Sequence, residues 1–287
     1  MGYTQMDTVK YTKKYSFSDG LALVNSVIGC YYIDKTGKKA FEINYPYASP
    51  FVNGYPSIAA TRENRKWGKI NKSGDVVYPT IYDRVGTFND GLATLKLDGL
   101  IGYGDETGKI VIPPKYHKGS RFMDGLARVK LNRKWGVIDK KGKTIVSFKF
   151  DDLDPFEHGL AMVEVDGKHG NIDKKGREVI PVIYDSSVAF YDHSTAVVRK
   201  DGKKGIIDKT GKLVIPIIYN RLSNFSEGLA DAAIDDKYGY IDETGTVVIP
   251  FIYDKAYSFG YLTEKGIAYV ELDGVGFSIN KKGEKIE

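Results

Sequence analysis

The sequence predicts an all-β protein made of eight tandem units of about 34 residues, and three observations carry that reading. A short motif, Asp or Asn followed three residues later by Gly, ends at Gly37, Gly74, Gly108, Gly142, Gly176, Gly211, Gly245 and Gly283, so that its glycines lie 37, 34, 34, 34, 35, 34 and 38 residues apart. Other positions keep the same beat: Pro79, Pro113, Pro181, Pro216 and Pro250 close apolar runs, Tyr82, Tyr116, Tyr184, Tyr219 and Tyr253 follow three residues later, and Gly-Leu-Ala recurs at 20–22, 91–93, 125–127, 159–161 and 228–230. Finally, no stretch of useful length shows helical periodicity.

Each element of the unit follows from local chemistry, taken in order around residue 135. Leu126 to Leu131 alternates, with Ala127, Val129 and Leu131 on one face, which predicts a strand. A tight hairpin follows; its other copies are Asp98-Gly99, Asp166-Gly167, Asp201-Gly202 and Asp273-Gly274, pairs suited to a type I′ turn with φ positive twice. Trp135 to Asp139 forms a second strand, with Gly136 and Ile138 on one face and Trp135 and Val137 on the other. Asp139 and Gly142 fit the first and fourth positions of a type I turn, the Asp side chain capping the N–H two residues on. Thr144 to Phe148 is a third strand, apolar on both faces in most copies, as in Val247-Val248-Ile249, and a short segment from Asp151 to Phe156 closes the unit. The units are expected at 1–45, 46–79, 80–113, 114–147, 148–181, 182–216, 217–250 and 251–287, within one repeat domain spanning 1–287.

For the assembly of these β-meanders the sequence favours an open, superhelical, β-solenoid-like array, with an eight-bladed β-propeller as the alternative. Blades packed on both faces would bury the charges that line the outward face of the Gly-Leu-Ala strand, such as Arg128, Lys130 and Glu164, and a unit of about 34 residues is short for a propeller blade.

The clearest unit reads Gly125-Leu126-Ala127, then Lys134-Trp135-Gly136-Val137-Ile138-Asp139-Lys140-Lys141-Gly142, and Lys66-Trp67-Gly68-Lys69-Ile70-Asn71 repeats its second part. The pattern resembles the bacterial WG (KWG) repeat family over nearly the whole chain. Only two units keep the Trp; the others place Ile101, His169, Lys204 and Tyr238 before the glycine, and the end units Ile28 and Val275. The resemblance implies an all-β bacterial repeat protein with no shared catalytic residues and no settled common ligand, of a kind often exported.

Composition narrows the function. One Cys among 287 residues excludes a disulfide framework and a thiolate metal cage. No apolar stretch is long enough for a transmembrane helix, and Met1 to Lys10 lacks the apolar core of a signal peptide. The 42 basic and 37 acidic residues interleave without a continuous basic stripe, which argues against nucleic acid. Compartment and oligomeric state are not legible.

The turn carboxylates Asp105, Asp139, Asp173, Asp208 and Asp242 form a row that resembles a cation ladder, yet Asn71 and Asn280 fill the same slot, as turn capping permits and metal binding does not favour. The four histidines (117, 158, 169 and 193) share no metal-ligand spacing, and Cys30 has no recurring basic neighbour. Asp151, Asp152, Glu157, Asp235 and Asp236 have no second acid that can be placed opposite them as glycoside hydrolysis requires. No catalytic residue, metal site or cofactor is therefore expected. What varies from copy to copy is the face opposite Gly and Ile on the second strand. There Trp67, Lys69, Tyr103, Trp135, His169, Asn171, Tyr238 and Tyr240 are the candidate partner-binding residues. The expected function is a non-catalytic scaffold presenting an extended β surface to a protein, peptide or glycan; the alternative is a lectin or glycan-active enzyme on a closed propeller.

Overall fold

The computed structural model describes residues 11–26, 29–59, 66–190, 194–261 and 264–286, and among them every regular element is a β-strand. The chain divides into two compact units, 1–149 and 150–287. The strands form small antiparallel sheets in chain order: sheet 1 (11–43), sheet 2 (47–82), sheet 3 (84–116), sheet 4 (118–150), sheet 5 (152–184), sheet 6 (195–219), sheet 7 (221–253) and sheet 8 (255–286). Sheet 6 has three described strands and each of the others four. Sheets 1 to 4 belong to the first unit, apart from Phe150, and sheets 5 to 8 to the second.

The hairpins have the geometry their residues dictate. Asp98 and Gly99 both have positive φ, 49° and 81°, and the same left-handed pair recurs at Asn132 and Arg133 without a glycine. The Asp-x-x-Gly turns also form as expected. Asp173 Oδ1 accepts the N–H of Lys175 and of Arg177, each at 2.9 Å, and Gly176 N–H donates to Asp173 O at 2.9 Å. A second tight turn was missed in the sequence: Asn89 and Leu92 exchange two backbone hydrogen bonds around Asp90-Gly91, so the Gly of Gly-Leu-Ala ends a two-residue hairpin.

One expected element belongs elsewhere. The short segment after the third strand does not close its own unit but opens the next sheet: Asp152–Leu153 pairs with Leu160–Val165, Asp152 opposite Glu164. The reason is that the third strand ends at the recurring aromatic and the following residue already bonds forward, as when Asp83 N–H donates to Lys96 O at 2.8 Å. Third strands thus run past the prolines at 79, 113, 181, 216 and 250 to the aromatic three residues on.

Those prolines sit in a bulge. Between Ile101↔Tyr116 and Tyr103↔Ile112 the second strand advances two residues while the third advances four. The extra backbone arches over Gly102, where an added Cβ would stand 2.5 Å from both Ile112 O and Pro114 N. Sheet 1 lacks this arch over the equivalent position and carries Tyr31 there, opposite Glu42, while in sheet 8 the equivalent position holds Phe277, opposite Val270. In both end units the glycine therefore sits outside the slot assigned to it from sequence. Gly29 lies two positions early and Gly276 one, which corrects the placing of Val275; Ile28 lies outside the described residues.

Within each unit, hydrophobic cores lie between consecutive sheets. Tyr103, Ile112 and Tyr116 of sheet 3 pack on Phe122, Ala127, Val129 and Ile138 of sheet 4, and Tyr240, Ile249 and Tyr253 of sheet 7 pack on Phe259, Ala268, Val270 and Ile279 of sheet 8. The middle of each inner second strand is buried on both faces, as at Gly136, Val137 and Ile138. Charge on the outward face of the Gly-Leu-Ala strand does not prevent this packing, because Arg128 and Lys130 remain half-buried. The third strands differ from expectation in the opposite sense: they are edge strands, and only their third and seventh residues are buried, so that Val247 and Val248 stay 48% and 40% exposed while Ile249 is 1% exposed.

Candidate partner-binding clefts

The variable face of the second strand splits into two sets by depth. The position before the glycine is half-buried, as at Trp67, Trp135, His169 and Tyr238, whereas the position after it is buried at Lys69, Tyr103, Asn171 and Tyr240. The place along the strand explains the split. The position after the glycine points into the next sheet's core, while the position before it lies nearer the sheet's free end. Tyr103 and Tyr240 contact Phe122 and Phe259 edge-on or tilted, with centroids 4.8 and 4.9 Å apart, and their hydroxyls donate to Ser120 O and Tyr257 O at 2.8 Å. Burial raises both hydroxyls' pKa values far above the ordinary phenol range. Tyr103 and Tyr240 thus pack and bond between sheets.

Lys69 occupies that same slot and is 2% exposed. Its Nζ donates to Tyr55 O at 3.1 Å, and desolvation pushes its pKa down to about 8. Asn171 Oδ1 is buried without a hydrogen-bond partner among the described residues.

The two tryptophans border clefts. A cavity of about 430 Å³ between sheets 2 and 3 is lined by Trp67, Lys69, Ser49, Tyr55, Asp83 and Arg84, and Tyr47 meets the Trp67 ring edge-on at 5.2 Å. A larger one of about 580 Å³ between sheets 3 and 4 is lined by Asp83, Arg84, Lys96, Lys118, Arg128 and Trp135, among others. The Arg128 guanidinium and Lys130 ammonium stand over the Trp135 ring at 5.7 and 5.6 Å. In the second unit, the Arg221 guanidinium stands over Tyr238 at 5.7 Å, and His169 lies opposite Glu164 and Tyr184. A third cavity, of about 450 Å³, is lined by Asp154, Glu157, His158, Met162, Phe190 and Lys209 and contains none of the candidate residues.

The cations of the larger cleft were missed from sequence. Arg84 and Lys118 lie on the short opening strands, and the charges look dispersed until strand pairing brings them together. The signal that would have revealed them is the recurrence of basic residues at the same cross-strand position, 84 with 96 and 118 with 130.

Several of the carboxylates weighed for other chemistry have structural duties. Asp151 accepts the Asp166 N–H at 2.9 Å, and Asp34, Asp105, Asp208 and Asp242 are held below the usual carboxylate range, first by the hydroxyl of the Thr two residues on. Among the described residues no three His, Cys, Asp or Glu groups are placed to hold a metal ion. Cys30 Sγ lies 3.2 Å from Asn25 Oδ1; His193 falls outside the described residues. No helix among the described residues is long and apolar enough to cross a membrane.

Comparison with solved structures finds likeness to a eukaryotic initiation factor (12% identity over 99% of this chain and 88% of that one, TM-score 0.37), to Hsv2 of Kluyveromyces lactis (9%, 97% and 98%, TM-score 0.36) and to AztD of Citrobacter koseri (12%, 93% and 91%, TM-score 0.28). At these TM-scores the likeness bears on neither sheet closure nor function. No curated protein matches the chain. The model of the WG containing repeat matches residues 32–67, 67–100, 101–135, 135–168, 170–203, 205–238 and 238–275. With these seven matches, and with the lysine–aromatic–glycine strand at the centre of its sheets, the chain belongs to the family of WG-repeat proteins.

Proposed function

We propose that this WG-repeat protein is a non-catalytic scaffold that binds a protein, peptide or glycan partner in the clefts between consecutive sheets. The observation that supports this reading is the pair of clefts at equivalent places in the first unit, each bordered by a tryptophan that the inter-sheet cores do not absorb. Their volumes lie in the range of ligand pockets, and each combines an aromatic wall with polar and charged groups. The non-catalytic part of the reading draws on the carboxylates, which serve turns and inter-sheet ties.

Glycan and peptide arrays probed with the wild-type chain and with Trp67→Ala and Trp135→Ala test the reading. Ligands captured by the wild type and lost on either substitution are the expected result. Ligands whose capture is indifferent to both substitutions would place binding outside these clefts, and cleavage of a captured glycan would overturn the non-catalytic assignment.

A further inference from the structure

The cleft between sheets 3 and 4 has an arrangement of charge that the fold itself does not require. Arg84 lies directly opposite Lys96 in sheet 3, and Lys118 directly opposite Lys130 in sheet 4. Like charges at such cross-strand positions oppose strand pairing. The equivalent position in sheet 8 carries a complementary pair, Lys255 and Glu271, with their charged atoms 2.8 Å apart, and in sheet 7 a single cation, Arg221, opposite Ala233. Sheet 5 has the acids Asp152 and Glu164 there. The position is therefore free to take either sign, and two successive sheets in the first unit take the same one.

The acid among the cleft's lining residues, Asp83, is already engaged. Asp83 Oδ1 lies 2.5 Å from Lys66 Nζ, and Asp83 Oδ2 accepts the Gly99 N–H at 3.0 Å. None of Arg84, Lys96, Lys118 and Lys130 forms an ion pair among the described residues, and Arg84, Lys96 and Lys118 are exposed. Trp135 engages Arg128 and Lys130 through its ring and so positions cations at the cleft. The charges sit on two consecutive sheets, and packed sheets lie on the order of 10 Å apart, a span that suits several carboxylates on one chain better than a single small anion.

We propose that this cleft takes an acidic peptide segment of a partner protein, its carboxylates held by Arg84, Lys96, Lys118 and Lys130. The assignment rests on the scaffold reading above and names the chemistry of its ligand.

The test is fluorescence anisotropy with labelled hexaglutamate, against wild type, the double variant Lys96→Gln/Lys118→Gln, and a charge-matched control, Lys35→Gln/Lys72→Gln, whose lysines are exposed in turns of the same unit. Binding that weakens at least about tenfold in the cleft variant, less than about twofold in the control, and steeply with salt is expected. Equal weakening in the control would reduce the effect to net charge and overturn the assignment. Tighter binding of oligogalacturonate or oligothymidylate, with the same dependence on Lys96 and Lys118, would overturn it in favour of an acidic glycan or a nucleic acid. Without ligand, the cleft variant is expected to melt at or above the wild-type temperature; a lower melting temperature would mean that these lysines support the fold, against the like-charge argument. Capture of a neutral ligand through Trp67 or Trp135 with no hexaglutamate binding would sink this assignment and leave the scaffold standing. Failure of every array ligand would remove both.

Discussion

Lys168 Nζ lies 2.6 Å from Asp185 Oδ1 and joins the second strand of sheet 5 to the residue that opens the path into sheet 6. Asp185 does two further things: its Oδ2 accepts the Gly202 N–H at 3.0 Å, and its own N–H donates to Arg199 O at 2.7 Å. The tie recurs seventeen residues apart, with Lys66 and Asp83 at 2.5 Å, Lys203 and Asn220 at 2.9 Å, and Lys237 and Asp254 at 2.5 Å. The lysine ahead of the variable aromatic is therefore an inter-sheet connector, and the Asp after the recurring Tyr caps the next hairpin. Because the pair lies at the surface and is only half-buried, its Coulombic part is small, while the capped N–H has no other partner in the turn. Asp185→Ala is expected to lower the urea midpoint more than Lys168→Met. Equal losses in the two variants would assign the effect to the ion pair and not to the cap.

The glycine of the second strand answers to the proline bulge beside it. At Gly170 an added Cβ would stand 2.6 Å from Ile180 O and 2.7 Å from Pro181 O, both backbone atoms that cannot swing aside. Gly170→Ala is expected to cost about 1–3 kcal/mol, the range for overpacking, in equilibrium denaturation. A neutral Gly170→Ala would contradict the close approach of the two strands.

The turn aspartates give the fold an acid-sensitive component. In Asp34, Asp105, Asp208 and Asp242 the folded carboxyl titrates below its unfolded value, chiefly because Thr36, Thr107, Thr210 and Thr244 donate hydroxyls to it, with backbone N–H groups adding to the effect. A depressed folded pKa contributes stability that is complete above the unfolded value of about 4 and is lost as pH falls through the folded value. Asn71 and Asn280 make the same backbone bonds through Oδ1 and do not titrate. The combined Asp105→Asn/Asp242→Asn variant is therefore expected to stay folded at pH 7 and to unfold at lower pH than the wild type. Circular dichroism across pH 2–6 checks it, and an unmoved acid midpoint would exclude these turns as a source of acid lability.

Turn chemistry made most of the fold legible before any coordinates: the Asp-Gly hairpins, the Asp-x-x-Gly turns and the alternating Leu126–Leu131 strand lie where local rules put them. The assignment of the short opening strand failed because nothing local distinguishes pairing backward from pairing forward; Asp152 is one peptide away from either sheet. The site was half legible. Trp67 and Trp135 border clefts, but a period of two cannot reveal depth along a twisted strand, so Tyr103 and Tyr240 were grouped with them although they lie in the inter-sheet cores. The cations at 84, 96, 118 and 130 were invisible for a different reason: their proximity is a property of register, which depends on the turn between strands and not on the residues themselves.

Lys69 shows what a polar residue does in a slot built for packing. Sheets 3 and 7 place Tyr103 and Tyr240 at this position, whose rings fill the inter-sheet space and whose hydroxyls reach a carbonyl of the next sheet. Lys69 reaches Tyr55 O instead, and burial strips water from its ammonium, which leaves its pKa at about 8 against an unfolded value of about 10.4. The unfolded chain then binds more protons than the folded one between these two values, so stability is expected to rise as pH increases from about 8 to 10. At pH 7 the full penalty applies, of order 3 kcal/mol from a shift of this size. Lys69→Met keeps the length of the side chain and removes the charge, but it strands the Tyr55 carbonyl, which offsets part of the benefit. A net stabilisation of about 1–2 kcal/mol at pH 7 is expected, together with loss of the rise between pH 8 and 10. Urea denaturation of both proteins at pH 7, 8.5 and 10 decides it: a wild type whose stability is flat over that interval would place the Lys69 ammonium in contact with water.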